Sequence, residues 1–156
     1  MEVAKPRTYT IPGFDGAALA VHEVGDRNAR PVVLLHGLFS SAQVNWIKYG
    51  HASTIAQAGF RVIMPDFRVH GESPAPHDPA SYPHDVLLRD VRAIIAALDL
   101  DDFDLGGFSL GARTSAALLA EGLRPRRAVL AGMGWEGLSG WSARRQFFLD
   151  AIDGRE

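Results

Sequence analysis

A serine between two glycines is the feature of this chain best suited to chemistry. Gly107, Ser109 and Gly111 follow the spacing Gly-x-Ser-x-Gly. At a sharp turn between a strand and a helix, this spacing lifts the serine hydroxyl clear of the sheet. Glycine is needed on both sides because a larger side chain would collide with the turn. Such a hydroxyl attacks a carbonyl carbon when a base removes its proton, yet no histidine follows Ser109 in the sequence.

The residues around Ser109 predict the strand and the helix that such a turn requires. The stretch 103–105 alternates apolar and polar residues, which is typical of a short strand. The stretch 112–120 is rich in alanine and leucine and free of glycine and proline, which favours a helix. An ordinary glycine-rich connection would explain the same residues, so other segments must decide between the two interpretations.

Two further apolar runs indicate strands that are covered on both faces. Residues 31–35 end at His36-Gly37, and residues 62–65 end at Asp66. Continuous apolar runs of this length are typical of parallel strands. Because ligands of open α/β sheets bind beyond the carboxyl ends of the strands, His36, Asp66 and Ser109 are expected to lie along one edge.

The whole pattern predicts a mostly parallel α/β sheet that opens with a hairpin. Strands are predicted over 7–11, 17–24, 32–35, 62–64, 103–105 and 128–131, and helices over 42–58, 82–98, 112–120 and 138–152. Strands that alternate with helices are typical of parallel sheets. The strand over 128–131 would form an open apolar edge, which favours pairing with another chain or coverage by the last helix.

The order of three short motifs resembles the α/β-hydrolase family. His36-Gly37 comes first, the stretch 66–73 (Asp-Phe-Arg-Val-His-Gly-Glu-Ser) comes second, and the serine turn comes third. Three motifs in family order, each at the end of a predicted strand, are far more specific than one motif alone. Val69 and Ala112 stand where glycine is common in the family, which affects loop packing rather than chemistry.

The resemblance implies roles for several residues. Ser109 would be the nucleophile, and Gly107 and Gly111 would shape its turn. The backbone N–H groups of Leu38 and Leu110 would form the oxyanion hole, with Phe39 as the alternative to Leu38. Leu110 is the firmer assignment because its amide would begin a helix, whose N-terminus favours an anion. His36 and Gly37 would support the loop around that hole.

The resemblance also implies that this chain is the first portion of a longer enzyme. Residues 1–134 would be an incomplete α/β-hydrolase core, and residues 135–156 would begin a helical cap. The last two strands, the acid of the triad and its histidine would all come after Glu156. The aromatic residues that follow the sixth strand either line a substrate pocket or belong to the core: Trp135, Trp141, Phe147 and Phe148.

The other ionisable residues are expected to have structural roles. The resemblance implies that the strand before His70 lies two positions from the strand before Ser109. Two strand spacings of about 4.8 Å would put His70 too far from Ser109 to act as its base, so we expect it to brace a loop. His36 lies closer, but the family uses that position to hold the oxyanion loop. Four residues are expected to be structural or at the surface, without metal-ligand spacing: His22, His51, His77 and His84. Asp66 and Arg68 are expected to brace their turn, and Glu136 to be a loop residue.

Composition excludes several classes of protein. The net charge of −2 provides no basic stripe for nucleic acid, and no apolar stretch is long enough to span a membrane. The absence of cysteine excludes a disulfide framework and fits the cytoplasm. The glycines around Ser109 match neither a dinucleotide fingerprint nor a phosphate loop, so no cofactor and no metal are predicted.

Three functions are compatible with the sequence. The first is a serine hydrolase that cleaves a carboxylic ester or a related acyl bond of a small molecule through an acyl-enzyme at Ser109. Carbon–carbon bond hydrolysis and cofactor-free peroxidation in the same family use the same groups. The second is a binding module that keeps the pocket but lacks the base. The third is one half of a two-chain enzyme, paired with a complementary C-terminal chain or assembled as a homo-oligomer.

Overall fold

The structure is a computed structural model that describes residues 5–139, 146 and 149–151. Its strands are β1 (Arg7–Pro12), β2 (Ala18–Val24), β3 (Arg30–Leu35), β4 (Phe60–Pro65), β5 (Asp104–Phe108) and β6 (Arg127–Ala131). Its α-helices are α1 (His51–Gln57), α2 (Val86–Ala97), α3 (Leu110–Ala120) and α4 (Trp135–Ser139). A turn of π-helix spans Gln43–Ile47, and a 3₁₀ turn spans Pro79–Ser81. No helix in the described ranges is both long and apolar enough to cross a bilayer.

The six strands form one sheet in the order β1-β2-β4-β3-β5-β6. The β1–β2 and β2–β4 pairs are antiparallel, and the β4–β3, β3–β5 and β5–β6 pairs are parallel. The predicted α/β fold, with an opening hairpin and a mostly parallel sheet, is therefore confirmed. The parallel register sets Leu35 opposite Gly107, so β3 and β5 reach the same edge together.

Apolar side chains cover the central strands on both faces. Along β3, Val33 and Leu35 belong to one buried cluster, while Val32 and Leu34 belong to the other. This alternation follows from the two-residue period of a strand. Residues of α2 and α3 complete the first cluster, and residues of α1 and the π-turn pack against the second. The continuous apolar run in the sequence reflects this two-sided burial.

Three predicted boundaries are wrong for identifiable reasons. The helix predicted over 42–58 is split into the π-turn and α1, because Gly50 between them has a left-handed φ of 80°. The helix predicted over 82–98 begins only at Val86, since Pro83 keeps Tyr82 out of the helical region, at φ −128°. The strand predicted over 103–105 continues through the two glycines to Phe108, because both neighbouring strands pair with it.

Part of the predicted C-terminal region lies outside the described residues. The short helix α4 begins at Trp135, and most of the helix predicted over 138–152 falls on residues that the structure does not describe. Trp141, Phe147 and Phe148 are among them. The division into a core up to 134 and a cap from 135 stays a prediction.

The last strand of the sheet is exposed along its whole length. All five residues of β6 are exposed, and the apolar Val129 is 65% exposed. Beside β6, an apolar hollow of about 390 Å³ opens over β3 and β5 on the α1 side of the sheet, lined by residues such as Val32, Leu34, Trp46 and Val129. Within the described part of the chain, nothing covers this side of β6.

The buried carboxylate of Glu23, on β2, connects β1 and β4 through hydrogen bonds. Glu23 is fully buried and accepts hydrogen bonds from Arg7 at 2.7 Å, Tyr9 at 2.7 Å and Arg61 at 2.9 Å. Burial alone would raise the pKa of Glu23, but the bonds from Arg61, Tyr9 and Arg7 lower it from 4.5 to about 2. The folded state therefore holds this carboxyl ionised at a pH where the unfolded chain protonates it.

We expect the stability contributed by Glu23 to disappear in acid. It is complete above pH 4.5, the ordinary pKa, and is lost as the pH falls toward about 2, the pKa in the folded state. Between pH 6 and pH 3 the free energy of unfolding should fall by about 1–2 kcal/mol more in the wild type than in Glu23→Gln. The expected difference is no larger because solvent screens the ion pair between Glu23 and the partly exposed Arg7. Urea titrations of both proteins at the two pH values measure this difference, and parallel losses would contradict the assignment.

Candidate active site

Ser109 occupies a strained turn between β5 and α3. Its φ of 53° and ψ of −110° lie in a region that residues other than glycine rarely adopt. Such a conformation costs about 1–3 kcal/mol and persists only where the surrounding structure enforces it. Here the Ser109 N–H donates to the Ala131 carbonyl on β6 at 2.8 Å, and the Ser109 carbonyl accepts from the Arg113 N–H at 3.0 Å. Both peptide groups of the strained residue are therefore anchored.

The two glycines that flank Ser109 occupy positions without room for a side chain. A Cβ built on Gly107 would lie 2.3 Å from the Gly111 carbonyl oxygen. A Cβ built on Gly111 would lie 2.1 Å from the Leu35 carbonyl oxygen, on the central strand β3. These contacts are with backbone, which cannot move aside as a side chain does. The close approach of α3 to β5 thus depends on Gly107, and its close approach to β3 depends on Gly111.

The loop after β3 lies against the serine turn. A Cβ built on Gly37 would be 3.5 Å from the Ser109 Cβ and 3.3 Å from Phe108. The chain then turns back, since the Ser40 N–H donates to the Gly37 carbonyl at 3.3 Å and Phe39 has a φ of 57°. The amides of this loop are therefore close neighbours of Ser109.

Side chains accept hydrogen bonds from the backbone N–H groups of the residues before and after Leu38. The Gly37 N–H donates to Asn45 Oδ1 at 2.8 Å, and the Phe39 N–H donates to His70 Nε2 at 3.1 Å. Among the described residues, no acceptor contacts the Leu38 N–H. Phe39, the alternative donor considered from sequence, has its N–H occupied by His70.

The orientation of the Leu38 N–H follows from the carbonyl in the same peptide group. The Gly37 carbonyl accepts from His36 Nδ1 at 2.8 Å and from the Ser40 N–H. In a trans peptide group the C=O and N–H point in opposite directions. Fixing the Gly37 carbonyl therefore also fixes the Leu38 N–H. The second predicted donor, Leu110, is the first residue of α3, where the N–H has no partner within the helix.

His36 is held as a neutral structural residue. It is fully buried, its Nε2 accepts the Phe67 N–H at 2.9 Å, and its Nδ1–H donates to the Gly37 carbonyl. Burial lowers the pKa of His36 below its usual value, which keeps the ring uncharged. Both ring nitrogens are occupied, so His36 cannot take a proton from Ser109.

The loop after β4 braces the loop after β3. Asp66 is buried, and its carboxylate accepts from the Ala42 N–H at 2.8 Å, the Glu72 N–H at 2.9 Å and His22 Nε2 at 2.9 Å. Burial raises the pKa of Asp66, but the bonds from His22, Glu72 and Ala42 outweigh it and hold that pKa below the usual value. The bond to Asp66 raises the pKa of His22. His70 completes the brace through Phe39, while its Nδ1–H donates to the Arg68 carbonyl at 2.9 Å.

Several residues considered from sequence pair with other groups or are exposed to solvent. Arg68 pairs with Asp15 and Asp90 rather than with Asp66. Four polar residues are exposed: His51, His77, His84 and Glu136. Trp135 is 80% exposed on α4. In the described part of the chain, no side chain hydrogen-bonds to the Ser109 hydroxyl.

Asn45 is the residue of this site that sequence reasoning missed. It lies in the π-turn, and its contact with Gly37 depends on the fold of the loop between them. The sequence offered only a polar residue beside Val44 and Trp46, in a stretch predicted to be an ordinary helix. Periodicity alone could not single it out.

Comparisons with known proteins agree with this architecture. A model of the alpha/beta hydrolase fold matches residues 30–132. The AB hydrolase superfamily protein YisY of Bacillus subtilis (strain 168) is 31% identical over 112 residues, which cover 72% of this chain and 39% of that protein. The sn-1-specific diacylglycerol lipase ABHD11 of Mus musculus is 36% identical over 95 residues, which cover 60% of this chain and 29% of that protein.

A solved structure shares the same fold. The esterase EaEST from Exiguobacterium antarcticum superposes with a TM-score of 0.68 at 24% identity, covering 85% of this chain and 50% of that chain. This chain spans 39% and 29% of the lengths of the two curated relatives, so it corresponds to only part of each.

Proposed function

The chain belongs to the alpha/beta hydrolase fold family, and from that premise we propose that it supplies the nucleophile and the oxyanion hole of a serine hydrolase. One observation supports this above the others. Ser109 sits in a strained turn at φ 53°, next to a loop in which neighbouring contacts leave the Leu38 N–H unpaired among the described residues. Backbone strain at a polar residue is typical of functional sites.

The proposed reaction is acyl transfer through Ser109. The Ser109 oxygen attacks the carbonyl carbon of the substrate while a base removes the proton of the serine hydroxyl. The electrons of the carbonyl double bond move to the carbonyl oxygen of the substrate, which becomes an oxyanion. The Leu38 and Leu110 N–H groups stabilise that oxyanion, and donors of this kind each lower the barrier by about 3–4 kcal/mol. When the carbonyl re-forms, the C–O bond to the alcohol breaks and the alcohol takes the proton. Water then hydrolyses the acyl-enzyme by the same steps.

We assign the general base to a residue outside this sequence. All six histidines precede Ser109. His22, His36 and His70 each use both ring nitrogens in hydrogen bonds to other groups. A base must come within hydrogen-bonding reach of the serine hydroxyl, and these three are already committed elsewhere.

The proposed substrate is a small molecule with a carboxylic ester or a related acyl bond. The names of two similar proteins, a diacylglycerol lipase and an esterase, support the ester class. Carbon–carbon bond hydrolysis and cofactor-free peroxidation would use the same groups. We propose no cofactor, and the absence of cysteine supports a reducing compartment such as the cytoplasm.

We expect a fluorophosphonate probe to label Ser109 covalently. The phosphorus is attacked by the activated hydroxyl and fluoride leaves, while the phosphoryl oxygen takes the place of the oxyanion. Mass spectrometry of tryptic peptides, with the chain alone and with a complementary C-terminal chain from a homologue, measures the labelled fraction. Ser109→Ala should show no label in either sample. Absence of label in both samples of the wild type would contradict the hydrolase and favour a binding module.

The exposed strand β6 favours a two-chain enzyme as the second candidate. Its five exposed residues and the apolar hollow beside it form an edge that another polypeptide can extend. In this proposal a complementary C-terminal chain, or a second copy of this chain, pairs with β6. Labelling of Ser109 that appears only after the complementary chain is added would distinguish this candidate from a self-sufficient enzyme.

A further inference from the structure

Both peptide groups that flank Gly37 are held by side chains. The N–H of the first group donates to Asn45 Oδ1 at 2.8 Å. The carbonyl of the second group accepts from His36 Nδ1 at 2.8 Å. The Leu38 N–H belongs to that second group, so the two contacts together determine where it points.

Gly37 needs this restraint because the backbone of glycine is more flexible than that of any other residue. A Cβ at Gly37 would lie 3.3 Å from Phe108 and 3.5 Å from the Ser109 Cβ, so this position packs directly beside the nucleophile. Glycine without restraint populates a wide range of φ and ψ. The orientation of Gly37 therefore needs an external hold.

Asn45 reaches Gly37 from an unusual helical turn. The π-turn Gln43–Ile47 widens the backbone by one residue, with the Lys48 N–H donating to the Gln43 carbonyl at 2.8 Å. The Asn45 N–H donates to the Ser41 carbonyl at 3.0 Å, which anchors its own backbone. Turns of π-helix are rare and occur frequently at functional sites.

From these contacts we propose that Asn45 is a positioning residue for the oxyanion hole. Its carbonyl oxygen fixes the Gly37 N–H, and the fixed Gly37 backbone keeps the Leu38 N–H directed toward the oxygen that develops charge. This inference rests on the proposed function, because the oxyanion forms only if Ser109 attacks an acyl or phosphoryl centre. Asn45 itself does not touch the substrate.

Three variants test the proposal through the kinetics of fluorophosphonate labelling. Asn45→Leu keeps the approximate size of the side chain and removes the acceptor. Asn45→Asp keeps an acceptor oxygen but adds a negative charge. Gln43→Leu is the matched control, since it removes an exposed amide from the same turn. Labelling is followed over a range of probe concentrations, in whichever preparation labels the wild type, to separate the maximal rate from the half-saturating concentration.

We expect Asn45→Leu to lower the maximal labelling rate by about 10- to 100-fold and to leave the half-saturating concentration nearly unchanged, because misplacement of a catalytic group acts on the transition state. Amide hydrogen exchange at Gly37, measured by NMR, should be faster in Asn45→Leu and restored in Asn45→Asp. The labelling rate of Asn45→Asp should lie between those of wild type and Asn45→Leu. Gln43→Leu should match the wild type in both measurements.

The outcomes separate the two proposals. If the wild type is labelled and Asn45→Leu is labelled equally fast, the positioning role is wrong while the hydrolase proposal stands. The same conclusion follows if Asn45→Leu changes only the half-saturating concentration or the thermal midpoint. If the wild type is not labelled in any preparation, the proposed function is wrong and the role of Asn45 is wrong with it.

Discussion

Gly111→Ala is expected to destabilise the chain by about 3 kcal/mol or more and to abolish labelling of Ser109. The added Cβ would lie 2.1 Å from the Leu35 carbonyl oxygen and 2.5 Å from its carbon. Leu35 belongs to β3, which pairs with β4 on one side and β5 on the other. Because the clash is with the backbone of a central strand, α3 must move away as a unit, and the Leu110 amide moves with it. Urea unfolding followed by circular dichroism measures the loss.

Gly134→Ala is the matched control for this substitution. Among the described residues, no atom lies within 4 Å of a Cβ built on Gly134, and the position is exposed. Its stability should stay within about 0.5 kcal/mol of the wild type. Equal urea midpoints for Gly111→Ala and Gly134→Ala would show that α3 does not approach β3 as closely as this structure has it.

The serine turn was predictable from the sequence because its requirements are local. Glycine at 107 and at 111 avoids clashes within a few residues or with one neighbouring strand. The spacing, together with the strand and the helix predicted on either side, therefore indicates the geometry. The strand before it was predicted too short. Gly106 and Gly107 have weak strand propensity, but pairing with β3 and β6 holds them extended.

The supporting contacts were not predictable, because they join residues far apart in the chain. His70 and Phe39 are separated by 31 positions, and Asp66 and Ala42 by 24. Sequence patterns report which residues are apolar and at what period, but not which loops meet. The expectation that His70 braces a loop agrees with its bond to Phe39, although only the structure identifies that loop as the one beside Ser109.

The partners of the buried Arg68 side chain also could not be predicted from the sequence. Arg68 lies two residues after Asp66, which suggested a joint brace of one turn. Instead its guanidinium reaches Asp15 in the β1–β2 hairpin and Asp90 on α2. The side chain is 1% exposed. An arginine buried to this extent must have its donors satisfied, yet nothing in the local sequence says which carboxylates do so.

Arg68 uses all five of its N–H donors in this cluster. Two go to Asp90 at 2.9 and 2.8 Å, two go to Asp15 at 2.7 and 2.8 Å, and one goes to the Ser81 carbonyl at 3.0 Å. The bonds to Asp15 and Asp90 raise the pKa of Arg68, and the same contact holds the pKa of Asp15 well below its usual range. The fork of the guanidinium thus joins the hairpin, the loop after β4 and α2.

We expect Arg68→Met to lower the free energy of unfolding at pH 7 by about 3–5 kcal/mol, because it leaves a buried carboxylate without its partner. Arg68→Lys should lie between this variant and the wild type, since lysine keeps the charge but cannot form the two bidentate contacts. Arg92→Met, which removes the exposed pair with Glu121 at 3.3 Å, should cost less than about 1 kcal/mol. Urea titrations of the four proteins at pH 7 provide the comparison.

The pH dependence of Arg68→Met distinguishes loss of charge pairing from loss of packing. The bonds from Arg68 hold the pKa of Asp15 below its usual value of 3.8, so the stability from this pair is complete above that pH and is lost as the pH falls below it. The deficit of Arg68→Met relative to the wild type should therefore shrink as the pH falls from 7 to 3. A deficit that is constant over this range would instead indicate a packing defect.

Ser109 labelling should also slow in Arg68→Met, even under conditions where this variant remains folded. The Arg68 carbonyl accepts a hydrogen bond from His70, whose ring accepts the Phe39 N–H in the loop beside Ser109. Labelling at the wild-type rate would mean that the loop beside Ser109 keeps its geometry without this cluster.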